Sequence, residues 1–167
     1  MKKFIHKLAL LSLIIPVLPS CEKGDDPNIS GDRNLIENLY ENSRDTIAFE
    51  TNAYFLETYL YRNFMPGAFK NRNLVAVVSL IRADSLLVSE NIAITQLYVI
   101  NDNSVWISNP HNSIEKYLPE YKLQRVSIDG PKWETDIFVD VVMEVSNKSN
   151  QDKCLLIARH QSIHRPN

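Results

Sequence analysis

The alternation of apolar and polar residues is sharpest in "IFVDVVMEVS" (137–146). Ile137, Val139, Val141, Met143 and Val145 fall on one side of an extended chain, and Phe138, Asp140, Val142, Glu144 and Ser146 on the other. A period of two predicts a strand with one dry face and one mostly wet face, as in an antiparallel sheet. "NKSNQDK" then reads as a polar hairpin loop, with "CLLIARHQSI" (154–163) as the returning strand. Two earlier runs, "LVAVVSLI" (74–81) and "NIAITQLYVI" (91–100), are continuously apolar and rich in β-branched residues, as buried strands are. The turn cluster "NDNS" (101–104) leads straight into "VWIS" (105–108), which predicts a hairpin. "KLQRVSI" (122–128) is a strand ended by Asp129, Gly130 and Pro131. "NAYFLETYLYRNF" (52–64) is loaded with aromatics and Thr, which favours a strand; a helix with Phe55, Tyr59 and Arg62 on one face is the competing reading. Only "LIENLYEN" has helical spacing, with Leu35, Ile36, Leu39 and Tyr40 predicting one or two turns. Between the strands, "NPHNSIEKYLPEY" (109–121), with Pro110 and Pro119, reads as a connection. Six or seven strands and little helix predict a mainly β body, an antiparallel β-sandwich, with a small barrel as the alternative.

The unit "GPKW…FVDVVMEVS…CLLIA" resembles the last strands of an immunoglobulin-like domain, although the Cys…Trp…Cys signature is absent. The start of the chain is of another kind. "MKKFIHK" carries Lys2, Lys3 and Lys7 and no acid, and an apolar run of 11 residues, Leu8 to Leu18, follows it. A spanning helix needs about 20 apolar residues. Eleven fit the apolar region of a secretory signal instead. Leu18, Pro19, Ser20 and Cys21 resemble the bacterial lipobox: a Leu three residues before the Cys and a small residue just before it. The resemblance implies cleavage before Cys21, lipidation of its thiol and acylation of its amine, so that the chain is held at a membrane by two or three acyl chains. The segment "EKGDDPNISGDRN" then holds two of the four glycines and one large apolar residue, Ile29, and reads as a flexible tether. Its acids Glu22, Asp25 and Asp26 resemble the signal that carries Bacteroidota lipoproteins to the outer face of the outer membrane. The expected organisation is a signal peptide over 1–20, a tether over 21–34 and one domain over 35–167.

Three of the 18 Lys and Arg lie in the signal and none of the 20 acids does, so the mature chain carries 15 against 20, a net charge of −5. Nucleic-acid binding needs clustered positive charge and is not expected. The only other cysteine is Cys154, in the apolar run "CLLIA"; with Cys21 lipidated no internal disulfide forms, and Cys154 reads as a small buried hydrophobe.

Chemistry-bearing motifs are scarce. No GxSxG, HExxH, phosphate loop or GxGxxG occurs. His160 and His164 share a strand face but lie about 13 Å apart at ~3.3 Å per residue, too far for one metal with ligands at ~2.1 Å. His111 has no partner visible in sequence. Asp140 and Glu144 read as a solvated face. Neither a metal nor a cofactor is expected, nor an enzyme. Aromatic residues are the binding candidates: Trp106, Trp133, and Tyr59 with Tyr61 on one strand face, set against the commoner role of covering a core edge. Asp45-Thr46-Ile47 and Asp84-Ser85-Leu86 resemble the Bacteroidota O-glycosylation motif, which makes Thr46 and Ser85 candidate acceptors. The expected function is a non-catalytic binding or accessory module, lipid-anchored in the outer membrane and facing a glycan or protein ligand. The alternatives are a periplasm-facing structural or assembly lipoprotein, or an enzyme with a dispersed site.

Overall fold

The computed structural model describes residues 26–64, 72–113, 115 and 117–166. In chain order its elements are β1 (Ile29–Ser30), α1 (Arg33–Asn42), β2 (Ser43–Arg44), β3 (Thr46–Phe49), β4 (Asn52–Arg62), β5 (Leu74–Arg82), β6 (Ile92–Asn101), β7 (Ser104–Ser108), β8 (His111–Asn112), β9 (Lys122–Ser127), β10 (Phe138–Asn147) and β11 (Lys153–His164). The mainly β class is what forms. Residues 52–62 are strand, not helix, because Tyr54 and Leu60 reach the core at even spacing and the run from Tyr54 to Arg62 pairs with β5.

The pairing is one continuous path, β1-β7-β6-β10-β11-β4-β5-β9-β8, with β2 beside β11 and β3 beside β4. The finer expectation of an antiparallel immunoglobulin-like sandwich meets two departures. β11 runs parallel to β2 and to β4. And the sheet is not split in two: it is mixed and curls into a half-barrel. The physical cause lies in β11. It pairs with β10 from Lys153 to Ser162, and along its other edge Leu155 and Leu156 pair with β2 while Ile163 and His164 pair with Leu60 and Tyr61 of β4, which joins the two limbs. Along the β10 edge the register shifts at Val139/Val141, and His160 takes φ 59°. Asp140 Oδ1 accepts the His160 N–H at 2.7 Å, which holds this bulge.

The two limbs face each other across the main core. Tyr54, Leu60, Leu74, Ala76, Val78 and Leu80 come from one limb, and Leu97, Val99, Val141, Met143 and Val145 from the other. Gly130 closes one end. A Cβ there would lie 2.7 Å from Leu74 Cβ and 2.8 Å from Trp106 Cη2, so only glycine lets this loop sit against both.

The wet face expected for β10 is corrected by α1. Asp32 caps the helix by accepting the Asn34 N–H at 2.9 Å. Ile36 and Leu39 then pack on Ile100, Val105, Val142 and Ile157, the outer face of the β6–β7–β10–β11 limb. Burying two such side chains is worth ~1.5–3 kcal/mol each. Val142 is therefore as buried as Val141. Elements of the body also fall inside the expected tether: Ile29 and Ser30 pair with Trp106 and Val105, and α1 starts at Arg33.

Candidate functional site

The outer face of the other limb carries no such cover among the described residues. Because the inward residues of β4 and β5 are even-numbered, Tyr59, Tyr61, Val75 and Val77 point outward. Register sets them in rows: Tyr59 opposite Val77, Val77 opposite Val126, and Val126 opposite His111. The next row pairs Tyr61 with Val75. The result is an open groove of about 830 Å³ with a valine floor, bordered by Tyr59, Tyr61, His111, Ser113, Glu115, Gln124, Ile128 and Pro166. Its size is that of a small-molecule site, though its form is a trough.

One wall is aromatic. The Tyr59 and Tyr61 rings lie 5.3 Å apart, and His164 stacks on Tyr59 at 5.4 Å with the planes 21° apart. The parallel pairing of β11 with β4 places His164 beside Tyr61 and so assembles this wall. Tyr59 and Ile128 each keep 47% of their surface in solvent, unusual for such side chains on a packed sheet. The far end is polar: Ser113 Oγ donates to Gln124 Oε1 at 2.7 Å, and Glu57 pairs with Lys122. The groove can hold an apolar surface against its floor and a hydrogen-bonding group at its Ser113–Gln124 end.

The remaining candidates part company. Trp106 is 2% exposed and its indole abuts Gly130, so it is core and cannot be a binding ring; its strand is covered on both faces. Trp133 is half-buried against the core, and its carbonyl accepts from Arg62; it borders a shallow hollow with Lys132, Ile137 and Phe138, away from the tyrosines. His160 stacks on Phe138 at 3.9 Å, so the two strand histidines serve different neighbours. Asp140 and Glu144 are both engaged: Asp140 Oδ2 accepts from Tyr40, and Glu144 accepts from Thr95 and pairs with Lys153. Burial, the Asp140 hydrogen bond and the Asp140 charge push the Tyr40 phenol up to about 12. Burial also raises the Cys154 thiol, the direction that quiets it as a nucleophile.

Thr46 and Ser85 are both exposed, Thr46 at the start of β3 and Ser85 in the turn after β5 at φ 58°. Cys21 lies outside the described residues.

Sequence reasoning found the Tyr59/Tyr61 face but missed its partners. The run 74–81 is apolar throughout, which hides the fact that one of its faces is open. His111 and His164 are 53 positions apart, and only register joins them to the tyrosines. Across comparisons with known proteins, no family model matches the chain, and no curated protein or solved structure matches it significantly.

Proposed function

We propose that this chain is a lipid-anchored envelope protein of the outer membrane, held through Cys21, whose body is a non-catalytic binding or accessory module with its ligand in the Tyr59–Tyr61–His164 groove. We read the body as a variant of the immunoglobulin-like sandwich, limb over limb, with β11 joining the limbs. The observation that carries the binding reading is the groove, uncovered among the described residues: an apolar floor walled by stacked rings, where the equivalent face of the other limb is packed under α1. Rigid aromatics on a sheet supply contact area at low entropic cost. Glycans and protein segments are the partners expected from the sequence, and nucleic acid is not among them. The same open apolar face also fits the second reading, a periplasm-facing assembly lipoprotein.

The test is a titration of the full chain with envelope glycans and peptides, followed by NMR at Tyr59, Tyr61 and His164. Shifts should concentrate at these residues, and Tyr59→Ala should abolish them while leaving the far-UV circular dichroism unchanged. Binding that persists in Tyr59→Ala, or shifts centred on Phe138 and His160, would refute the groove. Anchoring is tested separately: Cys21→Ala should stop incorporation of a fatty-acid probe, and continued labelling would remove Cys21 as the attachment point.

A further inference from the structure

Among the described residues Phe138 is the most exposed large apolar side chain on any strand, at 55%, ahead of Tyr59 at 47%. It is nonetheless held in place. His160 stacks on it at 3.9 Å with the planes 8° apart, and the His160 N–H is tied to Asp140. Phe138 thus presents a fixed ring to a shallow hollow of about 530 Å³. That volume is within the range of small-ligand sites, about 300–1,000 Å³. Two other pieces of chain complete the rim. The tight β6–β7 turn supplies Asn101 and Asp102, the latter at φ 50°. The segment before β10 supplies Lys132, Trp133 and Glu134. Arg62 fixes this segment by donating to the carbonyls of Lys132 at 3.2 Å and Trp133 at 2.6 Å, and Trp133 packs against the core.

The polar side chains of this rim are uncommitted, in contrast to Asp140 and Glu144, whose carboxylates are engaged. Among the described residues no hydrogen bond or ion pair holds the carboxylates of Asp102 and Glu134, the Lys132 ammonium, the Asn101 amide or the Trp133 indole N–H. Asp102 and Glu134 act on Tyr40 and Arg62 as charges alone. Donors and acceptors therefore stand side by side, and two carboxylates face one ammonium. A simple cation is opposed by Lys132, and a simple anion by Asp102 and Glu134. A hydroxyl uses both kinds of group, because it donates and accepts.

We infer that this hollow binds a saccharide, with the carbon face of a pyranose ring on the side of Phe138 that His160 leaves open. Its hydroxyls donate to Asp102 and Glu134 and accept from Lys132 and the Asn101 amide. The electron-rich face of an aromatic ring suits the weakly positive C–H groups of a sugar. Hydrogen bonds to ionised groups are the stronger kind. Rings already fixed by their neighbours lose little freedom on binding. None of these residues lines the Tyr59–Tyr61 groove, so the hollow is a second site and does not depend on the groove.

The test titrates the full chain with the methyl glycosides of glucose, galactose, mannose and N-acetylglucosamine, and with tetramethylammonium and acetate as charged probes. NMR follows the Phe138 ring and the Trp133 indole N–H, with Tyr59 as reporter of the groove. At least one glycoside should move the Phe138 and Trp133 signals saturably in the millimolar range. Phe138→Ala should weaken that glycoside at least about tenfold, and Phe138→Tyr, which keeps the ring, should retain it. Asp102→Asn suits the turn, because asparagine tolerates positive φ. It and Glu134→Gln should each weaken the glycoside about tenfold, one charge-assisted contact apiece. Far-UV circular dichroism should be unchanged in all four variants. The inference is overturned if no glycoside moves these signals, if tetramethylammonium or acetate binds as tightly as the best glycoside, or if both carboxylate variants bind like the parent. A ligand in the groove moves Tyr59 and is lost in Tyr59→Ala, whereas one in the hollow moves Phe138 and is lost in Phe138→Ala. Glycoside shifts at Tyr59 alone would therefore overturn the hollow and leave the groove standing.

Discussion

Replacing Gly130 by alanine tests how the open end of the core is closed. The new methyl would stand 2.7 Å from Leu74 Cβ, 2.7 Å from Leu74 O and 2.8 Å from Trp106 Cη2. Carbon atoms pack best at about 3.5–4.0 Å, so the overlap approaches 1 Å on three sides. None of these neighbours can swing away cheaply. Leu74 and Trp106 are both buried, and Leu74 O already accepts the Gly130 N–H at 3.0 Å. Overpacking of this kind costs about 1–3 kcal/mol. For a body of this size each kcal/mol moves the melting temperature by roughly 2–4 °C, so Gly130→Ala should melt roughly 2–12 °C early. Gly31 is the internal control. A methyl there meets only Asn103 O at 3.8 Å, an ordinary contact, so Gly31→Ala should melt within about 2 °C of the parent. Thermal melts by far-UV circular dichroism read both variants, and near-UV dichroism follows Trp106. If Gly130→Ala melts like Gly31→Ala, with its near-UV signal intact, the close approach of loop, Leu74 and Trp106 is not what closes the core.

Val141→Asp and Val142→Asp should both abolish cooperative unfolding, because each buries an unpaired charge, one between the limbs and one under α1; a folded Val142→Asp protein would mean that the helix does not seal that face. Tyr40→Phe should cost about 1 kcal/mol near neutrality, one hydrogen bond to a carboxylate. The phenol titrates higher when folded than its ordinary value of about 10, so its contribution is complete below that pH and is lost as pH rises toward about 12. Alkaline melts should therefore show a steeper decline for the parent than for Tyr40→Phe, and parallel curves would refute the assignment. Cys154 should alkylate at least about tenfold more slowly in the native protein than in urea, by mass spectrometry, because it is half-buried and burial pushes its thiol pKa up.

The sequence determined the strand set because each strand's side chains alternate or run apolar over enough residues to be read locally. Ile137 to Val145 declares its core face, and the rhythm of Leu35, Ile36 and Leu39 declares the helix. Two-residue strands such as β1, β2 and β8 carry no period and were legible only as connections. Tyr59 and Tyr61 could be placed on one face, since positions two apart on a strand always share it. What lies beside them could not, because pairing partners are chosen by the whole sheet. The parallel pairing of Ile163 and His164 with β4, on the edge of β11 away from β10, joins the two limbs and delivers His164 to Tyr59. α1 covers part of one outer face, and among the described residues nothing comparable covers the other, which makes Val142 core and Val77 groove floor although both are outward-facing valines in apolar strands. Trp106 and Tyr59 likewise looked equivalent as aromatics on strands, and were separated by what packs against their strands: cover on both faces for the indole's strand, and among the described residues no helix or sheet layer over the outer face that carries the phenol. Side-chain period is a property of the local backbone; burial is a property of what packs against it, and only the tertiary structure decides that.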